Sequence, residues 1–159
     1  MLHFFRFSIC LMFSILLISC ASTDKRSLDE AAVDDSGKYK YAAWRVNNSG
    51  DYEAINVLLD EADALIENGA FNEAADKLER ILRIKPQYAP AWSRLSWLAL
   101  QTNSPKRSVE MAKRSNSFAQ SNPELQLLNW SFIRTASEVL NDDDMYTRAN
   151  QKIESLKAF

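Results

Sequence analysis

The side chains best suited to covalent or metal chemistry are crowded at one end of this sequence. His3, Cys10 and Cys20 are the only histidine and the only cysteines among 159 residues. A thiol or an imidazole is the usual nucleophile, base or soft metal ligand, and the remainder of the chain has neither for such work. Asp34-Asp35 and Asp142-Asp143-Asp144 are the acidic clusters. Paired carboxylates can do acid–base chemistry. The first pair lies in a polar stretch and the second stands where a helix should begin, so we read them as tether and helix cap. No glycine-rich phosphate loop is present. The sequence therefore predicts no catalytic residue, no metal site and no cofactor, and leaves one reactive group to explain, the thiol of Cys20.

Cys20 closes a segment that reads as an address. His3 and Arg6 give a polar, basic start, and an apolar run from Phe7 to Ile18 follows. At about 12 residues that run is short of the roughly 20 that cross a bilayer, and a basic start, an apolar centre and a small residue before the cut describe a secretory signal peptide. Leu17, Ile18, Ser19 and Cys20 resemble the lipobox of bacterial lipoproteins at every step. The resemblance implies cleavage before Cys20, a thioether-linked lipid on its sulfur and acylation of the new amine. Several acyl chains make a stable anchor where one is marginal. The residues directly after Cys20, with Ser22 two places on, lack the aspartate associated with inner-membrane retention, so the resemblance implies the outer membrane, facing the periplasm. Cleavage would remove His3, Cys10 and Arg6, leaving 18 basic against 21 acidic residues. That mild acidity argues against nucleic acid as a partner.

The elements that follow are helical. Residues 20–39 are polar and read as a disordered tether. Tyr39, Tyr41, Ala42, Ala43 and Trp44 then form an aromatic cluster, read as a cap on a domain spanning 40–159, with a peptide that binds elsewhere as the alternative. From Ile55 onward apolar residues recur at three- and four-residue steps, as in Ile55, Leu58, Leu59, Ala62, Leu65 and Ile66. Asn68-Gly69 stops the first run, Pro86 the second, Ser104-Pro105 and Asn122-Pro123 start the fourth and fifth helices, and Asp142 or Asp143 caps a sixth. Ser104 is expected to act as an N-cap. No strand-like alternation appears. The fold class is all-α.

The helices repeat in pairs. Residues 55–88 and 89–122 are two windows of equal length, with a degenerate third at 123–157. Gly69, Phe71, Ala74, Leu78, Ile81 and Pro86 resemble the second half of a tetratricopeptide repeat. Trp92, Leu95, Ser96 and Ala99 supply a first half, with Asn103 at the turn and Ser108, Ala112 and Ser115 at the later slots. Trp130 and Ile133 start the third unit, about four residues out of strict period. The resemblance implies a short solenoid of about three helix pairs, because one hairpin cannot bury its apolar face alone.

Such domains bind partners on a concave face lined by the first helix of each pair. By resemblance the partner-binding slots are Asn56, Leu59, Asp63, Ile66 and Glu67, then Ser93, Trp97, Leu100 and Gln101, then Leu128, Ser131, Thr135 and Glu138. Trp97 is the expected anchor, since Trp92 already fills the packing slot. Lys106, Arg107, Lys113 and Arg114 read as a solvated outer face. Residues 74–84, Arg114-Ser115-Asn116-Ser117 and Asn129-Trp130 also resemble short tetratricopeptide lipoproteins of gammaproteobacteria, some of which activate a class A penicillin-binding protein. The expectation is a non-enzymatic, membrane-anchored regulator of peptidoglycan synthesis whose partner is a protein, with no small-molecule substrate. The alternative is an adaptor that presents substrates to an envelope protease or hydrolase.

Overall fold

A computed structural model describes residues 52–158. The signal segment, Cys20, the tether and the aromatic cluster at residues 39–44 lie outside the described residues. Six helices are present among those described: α1 (Glu53–Glu67), α2 (Phe71–Ile84), α3 (Ala89–Gln101), α4 (Pro105–Phe118), α5 (Pro123–Leu140) and α6 (Asp143–Lys157). They form three antiparallel pairs, α1–α2, α3–α4 and α5–α6, and successive pairs stack through α2 on α3, α4 on α5, and α3 on α5. This is the short all-α solenoid that the period implies.

The three hairpins close by the same local device. Gly69 (φ 73), Asn103 (φ 53) and Asn141 (φ 55) each take the left-handed conformation directly after a helix. Glycine adopts it without strain, and asparagine is among the few other residues that do so readily. Each lets the next residue's amide reach back five positions: Ala70 N to Leu65 O at 2.9 Å, Ser104 N to Ala99 O at 2.7 Å, and Asp142 N to Ser137 O at 3.0 Å. Those bonds satisfy carbonyls that a helix end otherwise orphans. The spacing of the turns, 69 to 103 to 141, carries the four-residue slip of the third unit.

Helix starts follow the expected chemistry with one correction. The Asn122 side chain accepts from Leu125 N at 2.9 Å and that of Asp142 from Met145 N at 2.8 Å, so Asp142, not Asp143, is the cap of α6. Ser104 occupies the position before α4, but its hydroxyl donates to Thr102 O at 3.3 Å and caps nothing. Pro105 still starts that helix, because a proline at the first position gives up only an amide that the helix leaves unbonded.

Two apolar clusters make the core. Ile55, Leu58, Leu59, Ala74, Leu78 and Ile81 belong to the first, and Ala112, Leu125, Leu128, Phe132, Ile133 and Ala149 to the second. Trp97 packs against both. Ala74 is completely buried at the α1–α2 crossing, where a small side chain lets the helices approach. The α3–α4 crossing is polar instead. Ser96 Oγ donates to Ser108 O at 2.9 Å and lies 3.0 Å from Ser108 Oγ, all buried. A second polar seam joins α3, α4 and α5: Ser115 Oγ donates to Ala89 O at 2.8 Å, and Asn129 Nδ2 donates to Ser115 Oγ and Asn116 Oδ1, each at 2.8 Å. Val139, an apolar residue near the end of α5, is 54% exposed.

Candidate concave interaction site

The first helices α1, α3 and α5 carry every predicted contact residue, and the structure sorts those residues by exposure. On α1, Asn56, Asp63 and Ile66 are half-buried, Leu59 is fully buried and Glu67 is exposed. On α3, Ser93 is fully buried, Trp97 and Leu100 are half-buried, and Gln101 is exposed. On α5, Leu128 is buried, Ser131 half-buried, and Thr135 and Glu138 exposed. Leu59, Ser93 and Leu128 are therefore corrected from contact residues to core residues. Leu59 and Leu128 are large apolar side chains that sit among the two clusters. Among these slots the exposed ones, Glu67, Gln101, Thr135 and Glu138, lie in the C-terminal halves of their helices.

Ile66, Trp97, Leu100, Gln101, Thr135 and Glu138 remain the accessible part of the stripe. The Trp97 indole meets the Phe71 ring edge to face, with centroids 5.8 Å apart and planes at 88°. It is thus partly structural and partly available. Trp92 donates its Nε1–H to Pro86 O at 2.8 Å, with the Arg114 guanidinium 5.6 Å from its ring. Ser131 Oγ donates to Leu128 O at 2.6 Å, a helix-internal bond that occupies its proton.

One decisive contact was not legible in the sequence. Arg94, at 0% exposure, grips Asp63 through two bonds, Nε to Oδ1 at 2.9 Å and Nη2 to Oδ2 at 3.2 Å. The pair ties α1 to α3, beside the α2–α3 contact through which the first two repeats stack. Its only sequence signal is an Asp and an Arg 31 residues apart, close to one repeat.

The remaining charges are peripheral. Lys77 Nζ stands 2.7 Å from Glu61 Oε2, and that hydrogen bond and charge hold the Glu61 carboxyl below its usual range, with Arg80 adding to the effect. Lys106, Arg107, Lys113 and Arg114 are exposed on α4, as expected of an outer face. Arg107 reaches Glu79 at 3.4 Å. Behind that face lies an apolar crevice of about 310 Å³ between Leu82, Trp92, Leu95 and Met111. An open cleft of about 560 Å³ sits at the edge where the pairs are linked, between Tyr88, Pro90, Phe118, Asn122 and Leu125. Neither was anticipated, since both are made by residues from separate repeats. Among the described residues no group of three or more His, Cys, Asp or Glu is placed to hold a metal ion. No described helix is long and apolar enough to cross a membrane.

Residues 65–129 match the tetratricopeptide-repeat family model. The match runs from the end of α1 to the middle of α5, so it spans the whole second pair. A tetratricopeptide-repeat solenoid is a protein-interaction scaffold, and the half-open stripe is where such a scaffold offers side chains. No curated protein and no solved structure matches this chain.

Proposed function

We propose that this chain is a lipid-anchored periplasmic interaction module that regulates a class A penicillin-binding protein. The observation that carries the interaction part is the tetratricopeptide-repeat solenoid, with an accessible stripe through Ile66, Trp97, Leu100 and Gln101. Support for the anchor comes from Leu17, Ile18, Ser19 and Cys20 at the end of a short apolar run. The choice of partner is supported by the resemblance at residues 74–84, Arg114-Ser115-Asn116-Ser117 and Asn129-Trp130 to lipoprotein activators. An anchor at Cys20, followed by about 20 polar residues, would hold the domain on the order of 25 Å from the periplasm-facing leaflet it is tied to.

Two measurements test the reading separately. Cys20→Ala should release the protein from the membrane fraction or block its processing; normal processing with full membrane retention removes the lipoprotein assignment. The soluble chain added to a purified class A synthase should raise its rate of glycan polymerisation or crosslinking. No binding and no stimulation would remove the activator assignment, and the reading as an adaptor for an envelope protease or hydrolase then takes its place.

A further inference from the structure

Trp92 and Trp97 stand five residues apart on α3, roughly 140° around a helix of 3.6 residues per turn, so they face different sides of the stack. Trp97 belongs to the stripe along the first helices. Trp92 lines the crevice of about 310 Å³ together with Leu82 of α2, Leu95 of α3 and Met111 of α4. Two properties of that crevice select what it can hold. Its floor offers carbon and sulfur only: the other three side chains have no N–H or O–H, and the Trp92 Nε1–H is already given to Pro86 O at 2.8 Å. A sugar would lose hydrogen bonds to water there without replacement, whereas a large apolar side chain gains by leaving water. The rim is cationic. Arg83 and Arg107 line its edge, and the Arg114 guanidinium lies 5.6 Å from the Trp92 ring. Arg107 is matched by Glu79 at 3.4 Å. Among the described residues Arg83, Lys106, Lys113 and Arg114 have no carboxylate partner. Along α4 these cations outnumber the one acidic residue, Glu110, although the chain as a whole is acidic.

We propose that this crevice is a second docking site, which takes one large apolar side chain from an acidic segment of a protein partner. Arg83 on the α2 side and Arg114 on the α4 side receive the flanking carboxylates. Charge complementarity selects this occupant, since the unmatched charges around the apolar floor are all positive. An apolar anchor in a desolvated pocket is where binding energy concentrates, and rim charges add association rate and specificity. The site leaves the stripe of α1, α3 and α5 free, so the domain holds two segments at once. It rests neither on the lipid anchor nor on the choice of a synthase as partner.

The test uses residues 20–159 with Cys20→Ser and a random peptide display library. Peptides are selected on this chain and depleted on the same chain carrying Arg83→Glu and Arg114→Glu. Both side chains are exposed, so circular dichroism and Tm should show the variant folded. Surviving sequences should carry Leu, Phe or Trp with Asp or Glu on both sides. In fluorescence anisotropy a synthetic copy should bind the double variant about tenfold or more weakly, as expected when two exposed ion pairs become repulsive. Should the double variant prove unstable, Arg83→Glu alone takes its place and should cost about fivefold. Affinity should also fall as salt is raised. Met111→Glu, which sets a carboxylate in the crevice itself, should weaken binding likewise, while Gln101→Lys and Glu138→Lys on the stripe should leave it unchanged. An empty selection would overturn the proposal. So would survivors without acidic residues, or survivors whose affinity follows the stripe substitutions rather than those at the crevice. If no peptide survives but the chain self-associates, or floats with vesicles of phosphatidylglycerol and phosphatidylethanolamine, and Arg83→Glu with Arg114→Glu abolishes that behaviour, a second copy or a membrane is the occupant and the acidic-segment assignment fails.

Discussion

Asp63→Ala is the perturbation that reports most directly on how the first two repeats are held together. Its carboxylate supplies the counter-charge to Arg94, whose side chain has no exposure of its own. Removing one member of an interior ion pair costs about 3–5 kcal/mol, because the remaining charge stays out of water. Two features here favour the lower end. The Asp63 side chain is 29% exposed, so water already shares its charge, and Arg94 Nη1 also donates to Pro90 O at 3.4 Å. The expected loss is therefore about 3 kcal/mol. With an unfolding entropy of about 2.1 cal/mol/K per residue over a domain of this size, Tm should fall by roughly 13 °C. Urea denaturation followed by far-UV circular dichroism measures the loss, with Arg94→Met and the double variant alongside. Methionine fills much of the space without the charge, so Asp63→Ala/Arg94→Met should regain more than half of what Asp63→Ala loses. A loss below about 1 kcal/mol, the value of an exposed pair, would refute the assignment of a buried clamp. So would a double variant as damaged as the sum of the singles, since the two side chains would then not be coupled.

Three further outcomes follow from the packing. Ala74→Leu should overpack the α1–α2 crossing and cost about 1–3 kcal/mol, read as a lowered Tm; an unchanged Tm would mean the helices do not cross there. Gly69→Ala should cost about 1–2 kcal/mol from backbone strain alone, because a Cβ at this position meets nothing within 4 Å, whereas Gly69→Asn should cost less, as Asn103 and Asn141 adopt the same conformation; equal stability of all three chains would contradict this. Trp97→Ala should destabilise the fold about as much as Trp92→Ala, roughly 2–3 kcal/mol for half-buried indoles, while Trp97→Phe should restore stability but not partner affinity; a Trp97→Ala chain of native stability would make that residue purely a contact.

Much of the architecture was written in local chemistry. Gly69, Asn103, Pro105, Asn122 and Pro123 each act within a few residues of themselves, so their positions delimit the helices without any knowledge of the fold. The 34-residue recurrence from Gly69 to Asn103 then pairs those helices. Exposure was less legible, because it depends on what lies across the stack. Leu59 and Ser93 occupy slots that should face a partner, yet both are interior, and Val139 follows an apolar period while facing outward. The Ser104 cap failed for a related reason: residue type marked the right boundary, but rotamer and backbone sent the hydroxyl elsewhere. Arg94 is the clearest omission. A charged residue within a helical pattern reads as surface until the matching carboxylate is found one repeat away.

The Asp63–Arg94 clamp also has a mechanical consequence. Any pull applied to the chain upstream of Tyr52 enters the domain at α1. In a stack whose members touch only their neighbours, such a load is borne by the first junction before it reaches any other. That junction is closed by two directional bonds acting together, a geometry that resists sliding better than an apolar contact, which can shift without breaking. Beyond it, the Ser96–Ser108 hydrogen bond laces the second pair internally and the Ser115–Asn129 bond laces that pair to α5. Force on the chain would thus meet the bidentate fastening of α1 to α3 before it reached the second pair.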